Sequence, residues 1–373
     1  MPVVAASGAA LTAIQGSNTQ VTRRIEILNA DGTVWKSDAG IISGSVNLSN
    51  SRKERRTFDL TLDNSDRSLD PYATVAGDSF WYDKLVRLYR GAEGPNFAYE
   101  AQLGEFQIDT ISQPHFPFEV KVAGRDYTKK LMLDKFANST TFAAGQAPET
   151  IVRNIALNGG IDFFNFPTTG KLINKDLTYE RNTERWEACA QICDSFGYDL
   201  FFDAQGFLTM SAYVDPTLGG ASWIFQTGEG VGNIASYGKS TADSQIFNSI
   251  TVSGAASDII IPVTVTVQNT QPDSPTSIAR LGTRSWTYTS PLIGTTTDAY
   301  QTAISFLKIK ALEAFELTFQ GIVFPWLDVN QIIQFVDPLP IAGQPDKFLL
   351  TDLTIPLTLA PMTGTGKRIT IVG

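Results

Sequence analysis

Three stretches of this sequence hold residues of the types and spacing that do chemistry. In "LDNSDRSLDP", Asp63, Asn64, Ser65, Asp66 and Asp70 crowd carboxylate and amide oxygens into one short segment, the raw material of a calcium loop. Such a loop wants oxygen ligands at alternate positions, a central glycine and a distant closing Glu. Here Asp63 and Ser65 are followed by Arg67 and Leu69, with no glycine and no closing Glu. An Asp-Asn-Ser run after a strand also forms Asx turns, because those side chains bond the backbone two residues on. The cluster reads as the turn that ends a strand.

The second stretch, "TGEGVGNIASYGKST", imitates a phosphate loop. That loop needs four residues between its first glycine and the Gly-Lys-Ser/Thr, so that successive N–H groups curl around the phosphates. Between Gly232 and Gly238 there are five, and Asn233 stands where glycine is required. The chain beyond Lys239 and Ser240 also passes into the strand-like "FNSITVSG" rather than a helix. It reads as a Gly-rich connection. Third, Cys189 and Cys193 share a helical face at a spacing that can hold zinc. The single His115 lies far off between prolines in "QPHFPF", and Trp186 and Phe196 continue the cysteines' stripe. Core packing is the better account. With one histidine there is no nucleophile–base pair, and no spacing singles out a carboxylate pair. The sequence predicts no catalytic, cofactor or metal residue.

What the chain must build follows from its composition. Its 373 residues carry a net charge of −9, which argues against a general phosphate-backbone binder. The one dense basic run, "SRKERR" (Ser51 to Arg56), leads into a strand and reads as a solvated entrance. Two cysteines make no disulfide framework. The apolar start, "MPVVAASGAALTAIQG", lacks the basic residues of a signal peptide, and no apolar run is long enough to span a bilayer. The expectation is a soluble chain made in the cytoplasm, without membrane insertion.

The elements come in three blocks. "RIEILNADGTVW" is a hairpin turning at Asp31-Gly32, and "FDLTL", "KLVRLY", "FQIDTIS" and "FEVKVAG" continue as short alternating strands. "APETIVRNIALNGG" has Pro148 in the first turn, Ile151, Val152 and Ile155 on one face, and Asn158-Gly159 as a stop. "TERWEACAQICDSFG" is a second helix capped by Thr183 and ended by Gly197, and "YDLFFDAQGFLTM" is a hairpin around Asp203 to Gly206. Strands then return, interrupted by a helix over about 297–315 with Ala299, Ala303, Phe306, Leu307 and Ala314 on its buried side.

A repeat lies across the two strand-rich blocks. "FQIDTISQP" (Phe106 to Pro114) and "FLLTDLTIP" (Phe348 to Pro356) share their pattern, each followed by a strand ending in glycine, "VKVAG" and "ITIVG". "WYDKLVRL" and "PWLDVNQIIQF" match further upstream at Trp81 and Trp326. The predicted fold class is α+β, mainly β, with two similar antiparallel β-barrels flanking a small α/β domain. The predicted organisation is an N-terminal extension at 1–19, a first barrel at 20–128, an α/β domain at 129–212, a connection at 213–247 and a second barrel at 248–373.

The aromatic–Asp–x–x–Gly–x–Leu hairpin at Phe202, Asp203, Gly206 and Leu208 is similar to one in tailed-phage baseplate hub and tail-tip hub proteins. The order of features around it agrees: "LDNSDR" and "GEFQIDTIS" before, "FNSITVSG", "PWLDVNQIIQF" and "FLLTDLTIPL" after. The resemblance implies a homotrimer whose six barrels ring a channel that DNA slides through without specific binding. It implies a distal-tail or tail-tube protein, a spike or central-fibre protein and a tape-measure protein as partners, a place at the distal end of a virion tail, and no enzymatic role. An alternative is a carbohydrate-binding virion or secreted protein, drawing on six Trp and 11 Tyr.

Overall fold

The computed structural model of the chain describes residues 20–71, 79–94, 97–114, 116, 118–213, 218–226, 233–241, 246–254, 263–311, 315–336 and 346–369. The N-terminal extension, His115, Ala314 and most of "ITIVG" lie outside these residues.

The first block folds as seven strands: β1 Gln20–Leu28, β2 Val34–Ser37, β3 Ile41–Ser49, β4 Arg56–Asp63, β5 Leu85–Gly94, β6 Phe97–Ser112 and β7 Glu119–Arg125. Alternation does the work. On β4, Phe58, Leu60 and Leu62 are buried while Asp59 and Asp63 are exposed. The β1–β2 turn is set by Gly32 at φ 82° and by Asp31, whose carboxylate accepts the Thr33 N–H at 2.9 Å.

The middle block holds α1 Thr128–Leu133, β8 Thr140–Phe142, α2 Pro148–Asn158, β9 Phe164–Asn165, β10 Leu177–Tyr179, α3 Arg185–Ser195, β11 Tyr198–Phe202 and β12 Leu208–Ala212. Its helices pack on a separate core through Ile151, Val152, Ile155, Trp186, Cys189 and Cys193, all buried. Gly197, at φ 78°, lets the chain leave α3. The predicted Thr183 cap is not made: the N-cap residue is Glu184, and no side chain caps the helix.

The last block adds β13 Trp223–Gln226, β14 Ile234–Ser240, β15 Ser249–Gly254, β16 Thr264–Gln268, α4 Ile278–Leu281, β17 Ser285–Ser290, α5 Thr296–Lys310, β18 Glu316–Gly321, β19 Ile332–Val336, β20 Asp346–Pro356 and β21 Met362–Arg368. The stretch 213–247, read from the sequence as a connection, therefore carries β13 and β14. The predicted helix does not come alone either. Strands β15 to β17 form a sheet of their own, and α5 packs on it with Ala299, Ala303, Phe306 and Leu307 buried.

The other strands of the first and last blocks join one sheet. Its path runs β14-β18-β21-β20-β3-β4-β7-β6-β5-β1-β2, with β19 on β20 and β13 on β19. The fold is thus mainly β, with a large antiparallel sheet, and the repeat is visible in its order. The run β3-β4-β7-β6-β5 corresponds to β14-β18-β21-β20-β19. The two copies even share an irregularity. Pairing between β6 and β7 slips at Asp109, between Ile108 and Thr110; pairing between β20 and β21 slips at Thr351, between Leu350 and Asp352. In the aligned "FQIDTISQP" and "FLLTDLTIP" these are the same position. The register also corrects the sequence alignment. Ile108 faces Gly124 and Leu350 faces Gly366, so the partner of "VKVAG" is "MTGTG" on β21, not "ITIVG".

Candidate functional site: the junction of the two strand sets

The two strand sets meet edge to edge at β3 and β20, where Asp352, Leu353, Thr354 and Ile355 pair with Ser49, Leu48, Asn47 and Val46. Strand β20 serves twice along one edge: Phe348 and Leu349 pair with β19, and the residues beyond the Thr351 bulge pair with β3. Side chains lace the same seam. The Ser49 hydroxyl donates to Asp352 at 2.7 Å and the Thr354 hydroxyl donates to the Asn47 side-chain oxygen at 2.9 Å. Below it the two cores are continuous, with Tyr99 edge-on to Trp326 at 5.5 Å.

The "SRKERR" run enters this junction: Ser51, Arg52 and Lys53 are exposed, as a solvated entrance requires, but the last two arginines are not. Arg55 and Arg56 are 5% and 3% exposed. Arg55 pairs with Asp199 on β11 and lies over the Phe201 ring at 3.9 Å. Arg56 pairs with Asp328 of the last block. Asn330, held at φ 64°, donates to Asp199 at 2.9 Å and accepts from Asn50 at 2.8 Å. Buried Asp126 accepts the Arg56 N–H at 2.9 Å and the Thr128 N–H at 3.0 Å, and burial pushes its carboxyl above the usual range. One short segment thus ties all three blocks together. Charge repels prediction from the core, but a signal was present: Arg56 has the same strand parity as Phe58, Leu60 and Leu62.

The chemistry-bearing stretches take structural places. Asp63 accepts the Ser65 N–H at 3.0 Å and Asp66 accepts the Ser68 N–H at 3.0 Å, two successive Asx turns. Buried Asn64 accepts the Leu69 N–H at 2.8 Å, which plugs Leu69 into the core. Of the phosphate-loop imitation, residues 227–232 lie outside the described residues. Most of the remainder is β14, with Lys239 the last but one residue of the strand and ion-paired to Asp346 at 3.6 Å. Asn233 is buried: its side chain accepts the Gln226 N–H at 2.9 Å and donates to the Ile224 carbonyl at 3.2 Å. It stitches β13 to the start of β14, at the two ends of the second strand set. Cys189 and Cys193 are fully buried free thiols, and burial pushes both upward in pKa. Among the described residues no three His, Cys, Asp or Glu side chains gather as a metal site. Nor is any helix long and apolar enough to cross a membrane.

The hairpin motif has a physical reason for each residue. The Asp203 carboxylate accepts the N–H groups of Gln205 and Phe207, both at 3.0 Å, while Gly206 takes φ 83°. Phe202 and Leu208 flank the turn, fully buried. The turn also touches the first block, since Gln102 donates to the Ala204 carbonyl at 2.7 Å. Trp81 and Trp326, matched by sequence, part company: Trp326 is 5% exposed and Trp81 is 45% exposed.

No family model matches the sequence. No curated protein matches it either. Solved structures do match in fold. The 43 kDa tail protein of prophage MuSo2 from Shewanella oneidensis superposes with a TM-score of 0.61 at 12% identity, over 93% of this chain and 98% of that one. A tail protein from Neisseria meningitidis gives 0.63 at 12% identity, over 93% and 96%. An Escherichia coli type VI secretion component, described as structurally similar to the T4 bacteriophage tail proteins gp27 and gp5, gives 0.52 at 10% identity, over 93% and 76%. The doubled strand set, the interposed helical block and these likenesses agree on one conclusion: the chain has the tail hub-like fold of phage and prophage tail proteins.

Proposed function

We propose that the protein is a structural virion component, the trimeric hub at the distal end of a phage tail or a phage-like injection machine. The observation that carries this reading is the doubled strand set with its shared bulge. Three copies of a chain with two like β units present six units around an axis, which matches a six-fold tube on one side and a three-fold spike or fibre on the other. We read each unit as a barrel, with Asn233 lacing the second one shut. In this reading the middle block, roughly 129–212, faces spike or fibre, and a tape-measure protein and DNA pass through the lumen. A chain of net charge −9 leaves such a lumen unattractive to phosphates. The hub acts by holding geometry, not by catalysis.

Light scattering and negative-stain microscopy of the purified chain test this. Three-fold rings with six peripheral lobes are the expected result, alone or after addition of the tube or spike protein. Single particles that stay single with both partners present would sink the hub. A carbohydrate-binding reading has one observation in its favour, the exposed Trp81 set edge-on to Tyr82 at 4.9 Å. Glycan binding that disappears in Trp81→Ala would move the assignment there.

A further inference from the structure

Strands β1 and β5 lie side by side with Ile27 opposite Val86, Ile25 opposite Leu88, and Arg23 opposite Arg90. The four aliphatic residues are at most 1% exposed. Strand alternation therefore carries the core-facing row on to Arg90, where an apolar residue belongs, while Arg23 opposite it is exposed. Arg90 is 3% exposed, and its Nη1 finds no hydrogen-bond partner. Arg23 donates from its Nη1 to the Leu357 carbonyl at 3.0 Å. Among the described residues no carboxylate pairs with either guanidinium.

Arg90 lines a cavity of about 550 Å³ at the seam of the two strand sets. Its walls are otherwise largely apolar, with Val21 from the first set and Ile234, Ile322, Val323, Leu359 and Pro361 from the second. Burial, with Arg23 adding repulsion, pushes Arg90 down to about 10, which leaves it a cation at neutral pH. A buried charge with no counter-ion is costly, and arginine does not escape by losing its proton. Its planar fork matches the two oxygens of a carboxylate.

We propose that this seam cavity is a binding site for a carboxylate carried on an apolar stem, with Arg90 holding the carboxylate and the aliphatic walls holding the stem. The site is argued independently of the hub reading. Two sources offer that chemistry: a free organic acid, or an Asp or Glu side chain of a second copy of this acidic chain.

Calorimetric titration with sodium hexanoate, against 1-hexanol as the uncharged control, tests the site at several protein concentrations. Hexanoate should bind at least ten-fold more tightly than hexanol, and Arg90→Met should erase the difference. The variant should fold, since it removes a buried charge that no carboxylate among the described residues pairs with, and its melting point should equal or exceed that of the parent. Hexanoate binding that is independent of protein concentration identifies a free acid as the occupant. Binding seen only at dilution, with self-association weakened ten-fold or more in Arg90→Met, identifies a second copy. Equal binding of hexanoate and hexanol at every concentration, with self-association unchanged in Arg90→Met, overturns the site.

Discussion

Adjacent Arg55 and Arg56 point to different blocks of the molecule, and each is desolvated against a carboxylate. Taking one partner from such a pair strands the other, which costs more than the pair itself contributes. Arg56→Met should therefore destabilise the chain by about 2–3 kcal/mol in urea unfolding, and adding Asp328→Leu should recover most of that loss. Full additivity in the double variant would show that the two residues do not act as a pair. A second residue governs pH. Asp194 accepts the Tyr213 hydroxyl at 2.8 Å, yet burial, with Asp199 nearby, pushes it from 3.8 up to about 6. The native chain then holds a proton at a pH where the unfolded chain has lost it. That contribution is complete below the unfolded value and is lost as pH rises through about 6. Asp194→Asn should match the parent near pH 4 and exceed it by about 2 kcal/mol at pH 7. A stability difference that does not change between those two pH values would refute the shift.

At the scale of elements, the repeat makes two glycines equivalent in place but not in surroundings. A Cβ on Gly124 would overlap the Gln107 carbonyl oxygen and lie 2.7 Å from the Phe58 ring, whereas one on Gly366 would lie 3.1 Å from the Phe348 Cβ and 3.3 Å from the Leu349 carbonyl oxygen. The first is an outright overlap with backbone, and the second is a tight contact that a small shift relieves. Gly124→Ala should cost about 3 kcal/mol and Gly366→Ala no more than about 1 kcal/mol. Similar costs in thermal or urea melts would mean that the two β–β seams are packed alike. The same comparison shows what was legible. Alternation in "FDLTL" and the Asp203–Gly206 turn are local codes, written within a few residues, and they fold as read. The bulge at Asp109 and Thr351 was visible only as an unexplained likeness of two nonamers. The alignment failed at "ITIVG" because glycine spacing on β21, not its apolar residues, marks the matching strand. The junction was hidden for a different reason. Arg55 and Asp199 are separated by 144 residues, and nothing local requires that they meet.

For the whole molecule, the question is which parts must move together. Residues of both strand sets share one core, from Ile25 and Phe58 through Trp326 to Met362, and β3 and β20 are joined by main-chain bonds. Neither set can open without exposing the other's apolar face. The layer of β15 to β17 and α5 is different. It has its own small core of Ile250, Val252, Ile293, Ala299, Ala303, Phe306 and Leu307. Polar contacts tie it to α3, with the Ser195 and Ser290 hydroxyls 2.7 Å apart and the Thr302 hydroxyl donating to the Ser195 carbonyl at 3.1 Å. A small core with polar ties opens at lower free energy than a large shared one. Native-state hydrogen exchange in rising urea should therefore release the amides of β15 to β17 and α5 first, and those of β3, β4 and β20 later and together. Phe306→Ala sharpens the test, because it removes about 3 kcal/mol from the small core alone. Protection should fall in the layer and hold in β20; an equal fall in both would mean that the layer is welded to the frame. The expected order gives a frame that opens only as a whole and a layer that opens without it, the behaviour that the proposed hub role calls for.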